Sequence, residues 1–291
     1  MSGRSSNQHQ PAAASKATFT NIYNNPDPRP YFQALTPLEY TTPQQLLPLV
    51  QKLYQLSSLD VVNPKILDLC CSYGINGGIL RHDTNMDTWA AHYDGSELNP
   101  EEQVMADKKF FAARARPFRP MVVGLDTSEP AIRYALNTGL IDSGWSENLE
   151  AQDPSTDLSK ALQDVSLIIC TGGASYVGSS TFSRIMRAIE RPGNVWVVCT
   201  VIKMISYDDI AETLRAHGLE TEKLPGVVLR QRKFVSAEEE SAVIEKIVAR
   251  GLDTTGFEDE GYLCAEVFVS RPISEVSRPP VGELVKEISS G

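Results

Sequence analysis

The sequence predicts an α/β protein: a doubly wound, mostly parallel sheet of seven strands with an antiparallel pair at its edge. Three observations lead there. Short apolar runs bounded by turn residues recur along the chain and alternate with segments of helical periodicity, the order that yields a parallel sheet with helices on both faces. The first run, PKILDLCC, is apolar throughout, as strands buried on both faces are. Two late runs, GVVLRQRKFV and YLCAEVFVSR, alternate instead, which fits half-exposed strands at a sheet edge.

Residues 1–20 carry few large apolar groups and are expected to be disordered, because nothing there offsets the entropy of ordering. The segment DPRPYFQALTPLEY opens with prolines that exclude helix. Leu46, Leu47, Val50, Leu53 and Tyr54 then fall at helical spacing and predict an amphipathic helix. PKILDLCC, the turn residues Ser72 to Gly74 and GINGGILRH read as strand, tight turn and helix. MVVGLD is the second strand, and SEPAIRYALNTGL is a helix with Ser128 as its N-cap. The short ENLE run stands where a third strand is needed, DVSLIICTGG is the fourth, and NVWVVCTVI with DDIAETLRAHG gives a fifth strand and its helix.

The core domain is expected to span 21–273, followed by a C-terminal tail at 274–291. Residues from about 84 to 120 are too many for an ordinary connection, so they read as an insertion with a helix near EEQVMADKKFFAARA. Its Trp89, His92, Tyr93, Phe110 and Phe111 suit a mobile cover and acceptor pocket over the site, or else a subunit interface or a patch over the outer helices.

A chain of 291 residues, 42% hydrophobic, can bury a large single core. The net charge of −10 argues against a broad nucleic-acid footprint. Lys108, Lys109, Arg114, Arg116 and Arg119, interleaved with phenylalanines, fit the solvated face of an amphipathic helix. No apolar run reaches the roughly 18 residues of a spanning helix, and the first residues lack a signal-peptide core, so no membrane association and a cytoplasmic location are expected. Five cysteines without a CxxC spacing suit free thiols, and no metal is expected at the adjacent Cys70 and Cys71.

Ligands of open parallel sheets bind at the carboxyl ends of the strands, beside the point where strand order reverses. At the first tip, Asp68 ends the strand, and Gly74, Gly77 and Gly78 lead into a helix whose N-terminus favours a carboxylate. At the second, Asp126 can accept hydrogen bonds from both hydroxyls of a ribose; the alternative is a helix cap, a role for which Ser128 is available.

These tips resemble class I S-adenosylmethionine-dependent methyltransferases. ILDLCCSYGINGGIL is similar to the family's first motif, VVGLDTSEPAIRYA to the acidic second-strand motif and DVSLIICTGGASYVG to the fourth-strand motif, over roughly Tyr40 to Pro272. Cys70 and Ser72 stand where the family has glycines; the CSYGIN turn is similar to that of a bacterial subgroup. The resemblance implies S-adenosylmethionine as cofactor. Asp68 would lie near its amino group, Cys70, Ser72 and Gly74 would form the turn, Asn76 would contact its carboxylate, Asp126 would hold the ribose, and Thr171 with Gly172 would flank the methionine part. Asn148 or Glu150 would meet the adenine amine. The implied function is methyl transfer to a small-molecule acceptor, as in secondary metabolism. The alternatives are a cyclase or pericyclic catalyst on the same fold, or a non-catalytic cofactor-binding module. His92 and Tyr176 are the candidate catalytic side chains, with Tyr31, Tyr40 and Tyr73 also near the site, and a homodimer is a further expectation.

Overall fold

The computed structural model describes residues 20–59 and 61–289. Apart from Thr20, the expected N-terminal tail lies outside the described residues. The first helix, α1 (Arg29–Leu35), forms where prolines were expected to exclude helix, because Pro30 sits in its first turn, where no amide hydrogen is needed. Helix α2 (Thr42–Ser57) buries Leu46, Leu49, Val50 and Leu53 along one stripe. Strand β1 (Lys65–Leu69) leads into α3 (Ile75–Arg81). The insertion then folds as α4 (Met86–Ala91) and α5 (Pro100–Ala112); Asn99 caps α5 in a reciprocal box with Glu102.

Strand β2 (Met121–Asp126) precedes α6 (Glu129–Thr138), which Ser128 caps through Ala131 N–H. The third strand, β3 (Ser143–Ser146), lies before the ENLE run, not on it. Its SGWS carries no apolar run to read, and Gly144 fits because a Cβ there would press within 2.8 Å of Ile141. There follow α7 (Thr156–Leu162), β4 (Val165–Thr171), α8 (Ser179–Ala188), β5 (Trp196–Ile202) and α9 (Asp208–Arg215). The last elements are β6 (Leu219–Lys233), α10 (Ala237–Ala249), β7 (Tyr262–Pro272) and α11 (Val281–Ser289). Residues 274–291 were read as a tail, yet α11 packs on α2 and β6 and buries Leu284 completely.

The seven strands run in the order β3-β2-β1-β4-β5-β7-β6, and β7 alone runs against the other six. Successive strand residues point to opposite faces. Ile66 therefore joins a core under α2, α6 and the insertion, while Leu67 joins the core under α7, α8 and α9. Edge strand β6 carries Pro225 and Gly226, where its ladder with β7 slips, and both discourage pairing with another chain.

Candidate functional site

The sheet order reverses between β1 and β4, and at their carboxyl ends lies a cavity of about 410 Å³. That volume falls within the range of small-molecule sites. Of the residues anticipated from sequence, Tyr40, Cys70, Ser72, Asp126, Thr171, Gly172 and Tyr176 line it, together with Asn148 and Glu150.

The turn after β1 is held against β2. Leu125 C=O accepts from the amides of Cys70 and Cys71, at 2.8 and 3.2 Å, and Asp126 Oδ2 accepts from Ser72 N–H at 2.8 Å. Its Oδ1 accepts from Ser128 N–H at 3.0 Å. A carboxylate offers about four lone-pair positions, so both oxygens keep capacity for ligand hydroxyls. Burial pushes the Asp126 carboxyl up, an effect opposed by these amide hydrogens.

Cys70 and Ser72 both hold left-handed φ, 60° and 52°, where glycine would be unstrained. Their side chains meet different neighbours at the cavity wall. Cys70 packs toward Gly173, where an added Cβ would come within 2.8 Å of Cys70 Cβ and 2.7 Å of Cys170 Sγ. Ser72 keeps a buried hydroxyl without a hydrogen-bond partner in the cavity wall. Cys71 is buried, whereas Cys70 is half-buried and lines the cavity.

Asp68 and Asn76 stand behind this wall, not in it. Asn76 Nδ2 donates to Asp68 Oδ1 at 2.8 Å and to Thr171 Oγ1 at 2.9 Å, so both amide hydrogens anticipated for a cofactor carboxylate are already engaged. Burial pushes the Asp68 carboxyl up to about 7, and its Oδ2 has no partner. Gly74 adopts φ 76° and begins α3 without lining the cavity. Gly77 and Gly78 serve packing: a Cβ on Gly77 would collide with Leu140 C=O at 2.3 Å, and one on Gly78 with the Trp89 ring at 2.6 Å.

His92 does not reach the cavity. Its Nε2 meets Asp107 Oδ1 at 2.9 Å and its ring stacks on Phe110, in a cluster with Tyr93 and Tyr134 that ties the insertion to α6. No residue of 84–120 lines the cavity. Tyr31 and Tyr73 also stay outside; Tyr73 Oη instead bonds the backbone of Ile22 and Asn25. The residues missed were Tyr23 and Asn24, which arch over the tip of β2, where Tyr23 C=O accepts from Ser128 Oγ at 2.5 Å, and Gln231 and Arg232 at the end of β6. Proximity of chain segments 100 residues apart leaves no local signal; only the alternation of β6 hinted at the latter pair.

Asn148 and Glu150 sit beyond the end of β3 rather than within it. Glu150 Oε1 accepts from Gly178 N–H, Thr181 N–H and Thr181 Oγ1, which fixes the start of α8. Tyr23, Tyr40 and Tyr176 all have hydroxyl pKa values raised, chiefly by burial. They therefore keep their protons at neutral pH.

No family model matches the chain, and no curated protein is significantly similar to it in sequence. Solved structures resemble it distantly. A TehB-like S-adenosylmethionine-dependent methyltransferase from Corynebacterium glutamicum is 16% identical with a TM-score of 0.39, covering 77% of this chain and 86% of that one. The N-methyltransferase NodS of Bradyrhizobium japonicum, in complex with S-adenosyl-L-homocysteine, is 12% identical with a TM-score of 0.36 over 77% and 85% of the two chains. Magnesium protoporphyrin IX methyltransferase ChlM of Synechocystis is 10% identical with a TM-score of 0.37 over 88% and 89%. Likenesses this distant leave the chemistry to the site itself. By its strand order, its single reversed strand and the cavity at the switch point, the chain has the class I methyltransferase fold.

Proposed function

We propose that this cavity binds S-adenosylmethionine and that the protein transfers its methyl group to a small-molecule acceptor in the cytoplasm. One observation carries the reading: buried polar atoms without protein partners gather at the switch point. Of the six such side-chain atoms among the described residues, Ser72 Oγ and Gln231 Oε1 belong to the cavity wall and Asp68 Oδ2 lies behind Thr171. Orphaned buried groups are costly and rare, so their presence around one cavity favours polar ligands that complete them, a cofactor at the Ser72 turn and an acceptor at the Gln231 end.

The residues present fit the cofactor. Asp126 would hold the ribose with its spare lone pairs, Ser72 Oγ would add a further contact from the turn, and Asn148 at the end of β3 would meet the adenine. The acidic Asp126, Glu147 and Glu150 also suit a ligand with a cationic centre. Bound S-adenosylmethionine supplies an electrophilic methyl on a sulfonium. Displacement there asks the protein mainly to position the acceptor in line and to exclude water. Tyr23, Tyr40 and Tyr176 supply the aromatic wall for that work, and the five free cysteines suit a reducing compartment.

Calorimetry with S-adenosylmethionine and S-adenosylhomocysteine is the test, followed by incubation of labelled S-adenosylmethionine with host metabolite extract. Saturable binding is expected, and Asp126→Ala should weaken it by about 1.5–3 kcal/mol, the scale of hydrogen bonds to a charged group. If the variant binds as the wild type does but melts lower, the carboxylate serves only the turn. Absence of heat and of any thermal shift at millimolar ligand would remove the methyltransferase reading.

A further inference from the structure

We propose that Gln231 determines acceptor specificity, and that the acceptor is a flat molecule presenting an O–H or N–H hydrogen to the Gln231 amide. This rests on the reading that the half of the cavity around Asp126 and Ser72 holds the cofactor. Gln231 lies where the β6–β7 ladder slips: Arg230 pairs with Cys264 and Arg232 with Leu263, so Gln231 is the extra residue of a bulge. In a regular strand, neighbours point to opposite faces. Here Gln231 and Arg232 are buried side by side, 4% and 2% exposed, and both line the cavity. A bulge re-aims side chains in this way.

The two residues differ in how they are satisfied. Arg232 donates to both carboxylate oxygens of Glu239, at 2.9 and 2.6 Å, so its charge is met within the protein. Gln231 Oε1 is buried with no partner. A half-turn about the last side-chain torsion exchanges Oε1 and Nε2 with little penalty, because that torsion is broad and two-fold, so either end of the amide can face a ligand. Its place in the cavity is away from Asp126 and beside Gly172, the end at which the methionine part would present its methyl to an acceptor. A Cβ built on Gly172 would lie 3.4 Å from Gln231 Nε2 and 3.5 Å from the Tyr40 hydroxyl, so all three share one corner at the tip of β4. Asp126 ends β2, which lies two strands away on the other side of β1. Tyr23, Tyr40 and Tyr176 supply aromatic surface around the cavity, which suits a planar ring.

The test compares phenol with toluene, a matched pair with and without the hydroxyl, by titration against nitrogen-labelled protein saturated with S-adenosylhomocysteine. Phenol should bind about fivefold more tightly than toluene, the ratio of one neutral hydrogen bond, and should move the Gln231 side-chain amide signals while toluene does not. In Gln231→Met, of similar shape, the preference should fall to about one with S-adenosylhomocysteine affinity unchanged, and the unfolding midpoint should stay level or rise because an orphaned oxygen is removed. An unmoved Gln231 signal in the wild-type protein overturns the proposal without need of the variant. So does a phenol preference that survives in Gln231→Met, or a variant that loses much stability. Failure of S-adenosylhomocysteine to bind refutes the cofactor reading instead, and the response of Gln231 to phenol can still be read in the free protein.

Discussion

At the scale of single residues, the departure from a glycine-rich turn is matched elsewhere. Cys70 holds a left-handed backbone and directs its side chain at Gly173, which has no Cβ to meet it. Gly173→Ala should therefore cost about 1–3 kcal/mol through overpacking. In a Cys70→Gly background that penalty should shrink by on the order of 0.5–3 kcal/mol, the range for residues in contact. Denaturant melts of the four proteins in the cycle measure it, and additivity would mean that the two sites do not touch. Asp68 supplies a pH signature. Its folded carboxyl, raised by burial to about 7 from an ordinary 3.8, holds a proton that the unfolded chain has released. Stability should therefore fall as pH rises between those two values, because there the folded state binds more protons than the unfolded one. Asp68→Asn should flatten that decline while keeping an acceptor for Asn76. Parallel stability profiles for wild type and variant from about pH 4 to 8 would show that Asp68 does not titrate in this window.

At the scale of elements, the insertion is part of the core. Trp89 is wholly buried over Gly78, and Phe111 packs edge-on against it at 4.8 Å. Asp107, itself buried, accepts from Tyr134 of α6 at 2.7 Å. Of the roles anticipated from sequence, a mobile cover, a subunit interface or a patch over outer helices, the contacts fit the last. The segment positioned to respond to a ligand is Tyr23–Asn25, held by the Ser128 hydroxyl on Tyr23 C=O and by the Tyr73 hydroxyl on the backbone of Ile22 and Asn25. Hydrogen exchange should show residues 86–112 protected already in the free protein, and residues 22–25 gaining protection when S-adenosylhomocysteine binds. A gain confined to the insertion would restore it as the lid. The aromatic run that marked this segment was legible. What its rings face was not, since a buried ring and a ring over a pocket have the same sequence.

At the scale of the whole molecule, the C-terminal helix closes one face of the sheet. Leu284 is fully buried between α2 and β6, in the same cluster as Leu49 and Val267. Leu284→Ala should lower stability by about 2–5 kcal/mol, the cost of a large-to-small change in a core, with S-adenosylhomocysteine affinity unaltered at temperatures where the variant is folded. A change of less than about 0.5 kcal/mol, typical of surface sites, would mark residues 281–289 as the loose tail expected at the C-terminus. Val281, Leu284, Val285 and Ile288 fall at the spacing of one helix face, so the segment carries a helical signal, and the groove between α2 and β6 gives Leu284 a place to be buried.

The sequence by itself determined the sheet and most of its order of elements, because continuous apolar runs such as LIIC and VWVVC can be satisfied only inside a two-sided parallel sheet. It also determined which loops meet: acidic or glycine-bearing tips at Asp68, Asp126 and Thr171 fall together once strand order reverses between β1 and β4. The tertiary structure decided the rest. It assigned Gly77 and Gly78 to helix packing, spent the Asn76 amide on Asp68, withdrew His92 into the insertion, and brought Tyr23, Gln231 and Arg232 to the cavity. The physical reason is that local periodicity fixes which face a residue takes, whereas its partner is set by how the elements pack, across separations from 8 residues for Asn76 and Asp68 to 105 for Tyr23 and Ser128. A one-residue bulge, invisible to any pattern, re-aims Gln231.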